Sequence, residues 1–208
     1  MAHTIITIGR QFGSGGGRVA VAVGKKLGIP VYDNELISQA AEQSGFSKEL
    51  FTRSDEKRSL FTLSGFFAPW RMGQGGGGGE NFIGDDAMFK IQSDVIRDIA
   101  ARGPAILIGR CSDYILRDVK GVLNVFITAP MEYRIRQICE REGLDAEQAA
   151  ALIRRKDKTR STYYNYYTLG SWGEASGYDL CIDSSILGIE GTADLIIAFA
   201  KAAGEVRP

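Results

Sequence analysis

The 208-residue sequence has one histidine, three cysteines and no excess of either charge, since 25 basic residues balance 25 acidic ones. His3 lies near the amino terminus, which argues against a histidine-based mechanism. Cys111, Cys139 and Cys181 are odd in number and lack CxxC spacing, which argues against a disulfide framework or a zinc site. No run reaches the roughly 18 apolar residues of a membrane helix. We therefore predict a cytoplasmic protein without a membrane partner, and the zero net charge disfavours nucleic acid as a ligand.

Short apolar, β-branched runs alternate with amphipathic segments along the chain. The alternation predicts one α/β domain over residues 1–208, with a central parallel sheet of five strands and helices on both faces. Ligands of such sheets bind beyond the carboxyl ends of the strands. The predicted strands are 4–8, 29–33, 105–109, 122–127 and 178–184, and the main predicted helices are 18–27, 85–103, 130–143, a helix from 145 and one from 190.

A glycine-rich loop, "GRQFGSGGGR", follows the first predicted strand and opens the first helix. Free backbone N–H groups and the helix dipole favour an anion there, although a tight structural turn is an alternative. On the Walker A template GxxxxGK[ST], Arg10 stands at the first glycine, Gly16 at the lysine and Gly17 at the hydroxyl. Arg10 or Arg18 could supply the missing cation, and Gly16→Lys is a natural probe. The predicted phosphate-binding residues are Gly13, Ser14, Gly15, Gly16, Gly17 and Arg18.

The stretch "ILIGRCSDYIL" contains a second candidate anion site, again directly after a predicted strand. Arg110 follows the strand directly, where a guanidinium could bind a phosphate through two parallel hydrogen bonds. A salt bridge to a neighbouring carboxylate is the alternative for Arg110. Asp113 could orient that arginine, contact a base or sugar, or simply cap the short helix that follows.

The densest charge cluster is "RRKDKTRSTYYNYY", residues 154–167. Five of the seven residues from Arg154 to Arg160 are basic, and four tyrosines follow. Basic and aromatic groups together could close over a polyphosphate and a base, whereas a solvated helix face and a single-stranded nucleic-acid site are alternatives.

A further segment, residues 59–84, mixes aromatic residues with five consecutive glycines, Gly75 to Gly79. Ordering five glycines costs much backbone entropy, so we predict a flexible excursion. Its aromatic residues Phe66, Phe67 and Trp70 could cover a ligand or a partner, or pack as a long loop.

Taken in order, "ITIGRQFGSGG", "LGIPVYDNELI", "ILIGRCSDYIL", "RRKDKTRSTYYNYYT" and "GYDLCIDSS" resemble the cytidylate kinase-like branch of the P-loop nucleoside monophosphate kinases. The resemblance spans nearly the whole chain and is weakest at 59–84. It implies a three-layer P-loop NTPase fold with a mobile lid, here residues 145–170. It also implies ATP-dependent phosphoryl transfer to a nucleoside monophosphate, cytidylate by the family name, with ATP and Mg²⁺ as cofactors.

The resemblance also assigns roles to residues of this sequence. The glycine loop would hold the donor phosphates, while Asp33, Arg110 and Asp113 would lie on the acceptor side. The lid and catalytic cations would be Arg110, Arg154, Arg155, Lys158 and Arg160. Members of this branch often show "RQYGSGG" followed by arginine, so the absent lysine is typical of the branch. Because the loop hydroxyl is absent too, no metal ligand is assigned in the protein.

Two other functions are compatible with the same residues. One is a kinase that phosphorylates another small acceptor. The other is a catalytically weak nucleotide-binding module that senses a ligand and recruits a partner, which the missing lysine and the aromatic residues at 66–70 would favour. The ligands in every case are nucleotides or similar small molecules, and the chain could also form a homo-oligomer.

Overall fold

The computed structural model describes residues 5–37 and 82–206, and within them a five-stranded parallel sheet forms the centre of the fold. The strand order is β2-β3-β1-β4-β5, and every neighbouring pair is parallel. The predicted five-stranded parallel sheet is therefore confirmed. The strands are β1 Ile5–Arg10, β2 Val31–Tyr32, β3 Ala105–Ile108, β4 Val122–Thr128 and β5 Leu180–Asp183.

Helices cover both faces of this sheet, as predicted. Alternate residues of β1 point to opposite faces, so Ile5 packs in one core and Ile6 and Ile8 in the other. Helix α1 (Gly16–Leu27) and the last helix, α6 (Ser184–Val206), pack on the Ile6 side. Helices α2 (Phe82–Arg102) and α3 (Ser112–Ile115) pack on the Ile5 side. The three-layer arrangement is thus present.

Two more helices, α4 (Met131–Glu142) and α5 (Ala146–Thr168), extend beyond the carboxyl edge of β4. The predicted capping box is present at the start of α5: Gln148 N donates to the Asp145 carboxylate over 2.8 Å, and Asp145 N donates to Gln148 Oε1 over 3.3 Å. This box satisfies two backbone donors that a helix start leaves free. The basic cluster and the tyrosines then continue in the same 23-residue helix.

The structure adjusts several predicted boundaries. Helix α1 begins at Gly16 rather than at residue 18, so Gly16 and Gly17 belong to its first turn. Helix α2 begins at Phe82, so the last three residues of the predicted excursion 59–84 are helical instead. The sequence also predicts helices at 35–43 and 48–58. Residues 34–37 are helical, and the rest of these two segments, like the rest of the excursion, lies outside the described residues. Within the described ranges, no helix is long and apolar enough to cross a membrane.

Candidate active site

The glycine-rich loop connects the end of β1 to the start of α1, at the carboxyl edge of the sheet. Gly13 and Gly15 have φ values of 84° and 77°, which L-residues rarely adopt. Ser14 is fully buried, and its hydroxyl donates to the Gln11 carbonyl over 2.9 Å. The Ser184 hydroxyl donates to the Ser14 carbonyl over 2.5 Å. These two hydrogen bonds stabilise the conformation of the loop, and the Ser14 hydroxyl takes part in one of them as the donor.

Gly15 is a loop glycine that combines a positive φ with a close side-chain neighbour. An added Cβ at Gly15 would lie 2.7 Å from Ile189 Cδ1, at a positive φ. We therefore expect Gly15→Ala to lower the free energy of unfolding by about 1–3 kcal/mol. Gly17→Ala is the matched control, because its Cβ meets nothing within 4 Å and its backbone is helical. That variant should be as stable as the wild type or gain up to about 1 kcal/mol. Urea unfolding of both variants measures the difference, and equal stabilities would contradict the geometry.

Three arginines converge beside the loop, from three different elements. Arg10 ends β1, Arg110 follows β3, and Arg160 lies on α5. Burial, together with the positive charges of Arg160 and Arg110, lowers the pKa of Arg10 to about 9, while the Asp33 carboxylate opposes that shift. Two carboxylates lie near these three guanidinium groups, Asp33 beside Arg10 and Asp157 beside Arg160, so this edge of the sheet keeps an excess of positive charge, as a polyanion site requires.

Arg110 holds its position through backbone and side chain together. Its φ is 57°, in the left-handed region that few non-glycine residues occupy. Its Nε donates to Asn34 Oδ1, and its guanidinium lies 5.5 Å from the centre of the Tyr163 ring. The structure shows no salt bridge from Arg110 to a carboxylate of the described residues, and the binding of an anion by Arg110 stays a prediction.

Asp33 follows β2 and caps the helical residues that begin at Asn34. Its Oδ1 accepts the backbone N–H groups of Glu35 and Leu36, each over 3.0 Å. The carboxylate is exposed and lies within electrostatic range of Arg10. Asp33 therefore reaches the mouth of the site, where its role toward an acceptor stays a prediction.

Asp113 accepts a hydrogen bond from a tyrosine of α5, a partner that the sequence did not suggest. The Tyr164 hydroxyl of α5 donates to Asp113 Oδ2 over 2.7 Å, and Tyr178 hydrogen-bonds Tyr164 in turn. Burial raises the pKa of Asp113, although the Tyr164 hydrogen bond opposes the shift. Burial also raises the pKa of both tyrosines, so each stays a neutral donor at physiological pH. Asp113 thus links α3 to α5, and contact with a ligand stays a prediction.

The raised pKa of Asp113 predicts a pH-dependent cost to stability. Below the pKa of the unfolded state the carboxyl is protonated in both states, so the cost is absent. It appears as the pH rises through that value and is complete above the folded pKa. Asp113→Asn should therefore match the wild type at about pH 3 and become relatively more stable toward pH 8, because the amide oxygen still accepts from Tyr164. Urea unfolding across this range tests the claim, and a stability difference independent of pH would contradict it.

One face of α5 is bound to the loop through an acidic residue that sequence reasoning missed. Asp157 Oδ1 accepts the Phe12 N–H over 2.7 Å, and its Oδ2 pairs with Arg134 of α4 at 2.5 Å. The side chains of Arg134 and Asp157 are only 7% and 18% exposed. Helical spacing was the available signal, because Ile153, Asp157, Arg160 and Tyr164 all fall on one face.

Arg160 is the predicted lid residue that reaches the loop. Its NH1 donates to the Arg10 carbonyl over 3.0 Å, and its guanidinium lies 5.4 Å from the centre of the Phe12 ring. Burial lowers the pKa of Arg160. By contrast, Arg154, Arg155 and Lys158 are exposed on the other sides of α5. Their predicted contacts with nucleotides stay predictions.

Two further expectations concern the missing lysine. Arg18 is exposed on α1, whereas Arg10 lies at the mouth among the other arginines. A Cβ added at Gly16 would lie 2.6 Å from Arg10 Cβ, which a real structure does not tolerate. Gly16→Lys therefore stays a probe, and its new side chain would have to displace Arg10, which already lies in that space.

The described residues contain no group of three or more histidine, cysteine, aspartate or glutamate side chains that could hold a metal ion. Mg²⁺ in phosphate sites often keeps several waters and takes only one or two protein carboxylates. Asp33 suits such an outer position, since its Oδ1 alone serves as the helix cap. The residues present therefore fit a Mg²⁺ ion carried mainly by nucleotide phosphates.

Comparison with known proteins agrees with this geometry. A curated cytidylate kinase of Methanopyrus kandleri is 26% identical over 191 residues, covering 87% of this chain and 84% of that protein. The crystal structure of an uncharacterized protein from Eubacterium ventriosum matches with a TM-score of 0.70 at 26% identity, covering 95% of this chain and 98% of that one. A shikimate kinase from Bacteroides thetaiotaomicron shares the fold, with a TM-score of 0.54 at 12% identity and coverage of 96% and 99%. The model of the cytidylate kinase-like family matches residues 5–186, and the chain belongs to that family.

Proposed function

We propose that this protein transfers the γ-phosphoryl group of ATP to a nucleoside monophosphate, and that cytidylate is the acceptor. Membership of the cytidylate kinase-like family, together with the P-loop kinase fold, makes the chain a phosphotransferase. The observation that carries the proposal is the convergence of Arg10, Arg110 and Arg160 on the glycine loop. An acceptor monophosphate and a donor triphosphate both need such a cationic edge.

The donor phosphates would bind the loop and the first turn of α1. Gly13 and Gly15 bend the backbone, and the N–H groups of Gly15, Gly16 and Gly17 lie where α1 begins. Helix starts leave such donors unpaired and carry partial positive charge. The loop therefore offers the donor phosphates directed hydrogen bonds without needing a side chain.

The acceptor would lie on the β2–β3 side of the loop. Arg110 would bind the acceptor phosphate with its free donors, and Asp33 would face the same space from the end of β2. Such a transfer needs positioning and charge neutralisation more than it needs a base, because the acceptor oxygen is already anionic. Mg²⁺ would supply charge neutralisation on the donor phosphates when bound, with Asp33 contacting it through water.

The direct test is ADP formation from ATP and Mg²⁺ with a panel of acceptors. We expect turnover with cytidylate above that with uridylate, adenylate, guanylate and thymidylate. Arg110→Met should lower kcat/KM for the acceptor by about 100-fold, as the loss of a phosphate-binding arginine does. The matched control is Arg97→Met, because Arg97 is exposed on α2 and, among the described residues, pairs with Asp94 of its own helix.

Shikimate and gluconate, added to the panel of acceptors, separate the rival functions. Turnover with shikimate or gluconate but with no nucleotide would replace the proposal by a kinase that uses another small acceptor. Nucleotide binding without turnover on any acceptor would replace it by a sensing module. Turnover with a nucleoside monophosphate other than cytidylate would keep the reaction and change the substrate.

A further inference from the structure

We propose that Arg10 takes the place of the missing P-loop lysine and binds the donor phosphates through its guanidinium. The inference deepens the proposed function and rests on it, since it requires a nucleoside triphosphate in the loop. In the Walker A template a lysine inside the helix start reaches the β- and γ-phosphates. Here the cation would come from the opposite end of the loop.

The first support is the space that the Arg10 side chain occupies. A Cβ built on Gly16 would lie 2.6 Å from Arg10 Cβ and 3.1 Å from Arg10 Cγ. Gly16 stands at the template's lysine position and Arg10 at its first glycine. The aliphatic part of the Arg10 side chain therefore fills the volume in which a lysine side chain at position 16 would start. The two departures from the template, arginine at 10 and glycine at 16, thus depend on each other.

The second support is where the guanidinium lies. A Cβ built on Gly109 would come within contact distance of Arg10 NH1, so the Arg10 fork lies directly on Gly109. Gly109 follows β3 and precedes Arg110. The fork is thus at the carboxyl edge of the sheet, between the loop and Arg110, where donor and acceptor phosphates would meet.

The third support is the charge around Arg10. Among the described residues the Arg10 side chain forms no ion pair within 4 Å, although it is partly buried. Arg110 and Arg160 lie near enough to disfavour its charge, and Asp33 compensates only in part. Partly buried cations are normally paired. A polyphosphate would supply the missing negative charge for all three arginines.

Arg18 is the alternative cation, and its position argues against it. Its side chain is exposed to solvent in the first turn of α1. Arg10 by contrast lies at the mouth with its stem held against Gly16. Arg18→Met is therefore the matched control for the loss of one positive charge near the loop.

Titration calorimetry with the non-hydrolysable analogue AMP-PNP and Mg²⁺ tests the assignment. Arg10→Met keeps the aliphatic stem and should weaken binding about 10- to 100-fold, whereas Arg18→Met should change it less than about threefold. Inorganic tripolyphosphate should show the same loss, because the contact is with phosphates. Thermal unfolding confirms that each variant is folded.

An exchange of the two positions provides the sharper test. Gly16→Lys alone should destabilise the protein, because the new stem collides with Arg10. The double variant Arg10→Gly with Gly16→Lys should regain both stability and AMP-PNP affinity relative to Gly16→Lys and Arg10→Gly, a coupling far from additive. Additive effects, or unchanged binding by Arg10→Met, would overturn the role of Arg10 while leaving the proposed function intact. A wild-type protein that binds no nucleotide would overturn both.

Discussion

Replacing Arg160 by methionine should lower kcat/KM for phosphoryl transfer by about 10²- to 10³-fold, with little loss of stability. Arg160 links α5 to the loop, since its NH1 donates to the Arg10 carbonyl over 3.0 Å. The contact uses one of its five N–H donors, so the others are available to phosphate charge that develops in transfer. Steady-state kinetics with ATP, Mg²⁺ and the best acceptor measure the effect.

Two comparisons make the Arg160 result specific. Arg160→Lys keeps the charge and should recover part of the lost activity, although an ammonium cannot reproduce the fork of a guanidinium. Arg97→Met on α2 should leave kcat/KM within about twofold, because the described partner of Arg97 is the exposed-face Asp94 of its own helix. If Arg160→Met lowered the melting temperature strongly and left kcat unchanged, Arg160 would be a structural link and not a phosphate-binding residue.

Replacing Asp157 by asparagine should lower the free energy of unfolding by about 3–5 kcal/mol. The amide oxygen can still accept the Phe12 N–H, so the variant removes mainly the charge opposite Arg134. That guanidinium is buried, and its Nε already has no hydrogen-bond partner among the described residues. Losing the carboxylate would leave a buried cation without compensation. Urea unfolding, followed by far-UV circular dichroism, measures the change.

The control for Asp157 is a surface pair of similar chemistry. Asp94→Asn removes the partner of Arg97 at 3.4 Å, where the Arg97 and Asp94 side chains are 54% and 36% exposed, and should cost less than about 0.5 kcal/mol. Combining Asp157→Asn with Arg134→Met should recover much of the stability, because the second change removes the buried, unpaired guanidinium charge. Equal costs at Asp157 and Asp94 would contradict the idea that α5 is anchored to the loop through a buried ion pair.

The sequence predicted the elements that depend on local patterns. The β-branched run before the loop, Gly28 at the end of α1 and the capping box at Asp145 all lie where local rules place them. The five sequence motifs that resemble the cytidylate kinase-like family, taken in chain order, predicted the P-loop fold. These features are local or short in range, so one sequence is enough to locate them.

The contacts that organise the site were harder to predict. Asp157 lies inside a basic cluster, where a carboxylate suggests simple charge compensation, yet its partners are Phe12 and Arg134, which are 145 and 23 residues away. The choice between Arg10 and Arg18 likewise depended on the packing of Arg10 against Gly16. Such contacts are set by how strands and helices meet, which composition and spacing do not specify.

Nuclear magnetic resonance can show directly whether the glycine amides of the loop bind a polyphosphate. The wild-type protein, labelled with ¹⁵N at glycine, would be titrated with AMP-PNP and Mg²⁺. We expect large, saturable downfield shifts of the Gly15, Gly16 and Gly17 amides, with much smaller shifts at Gly143, at the carboxyl end of α4. Saturable binding that left the three loop amides unshifted would contradict that expectation.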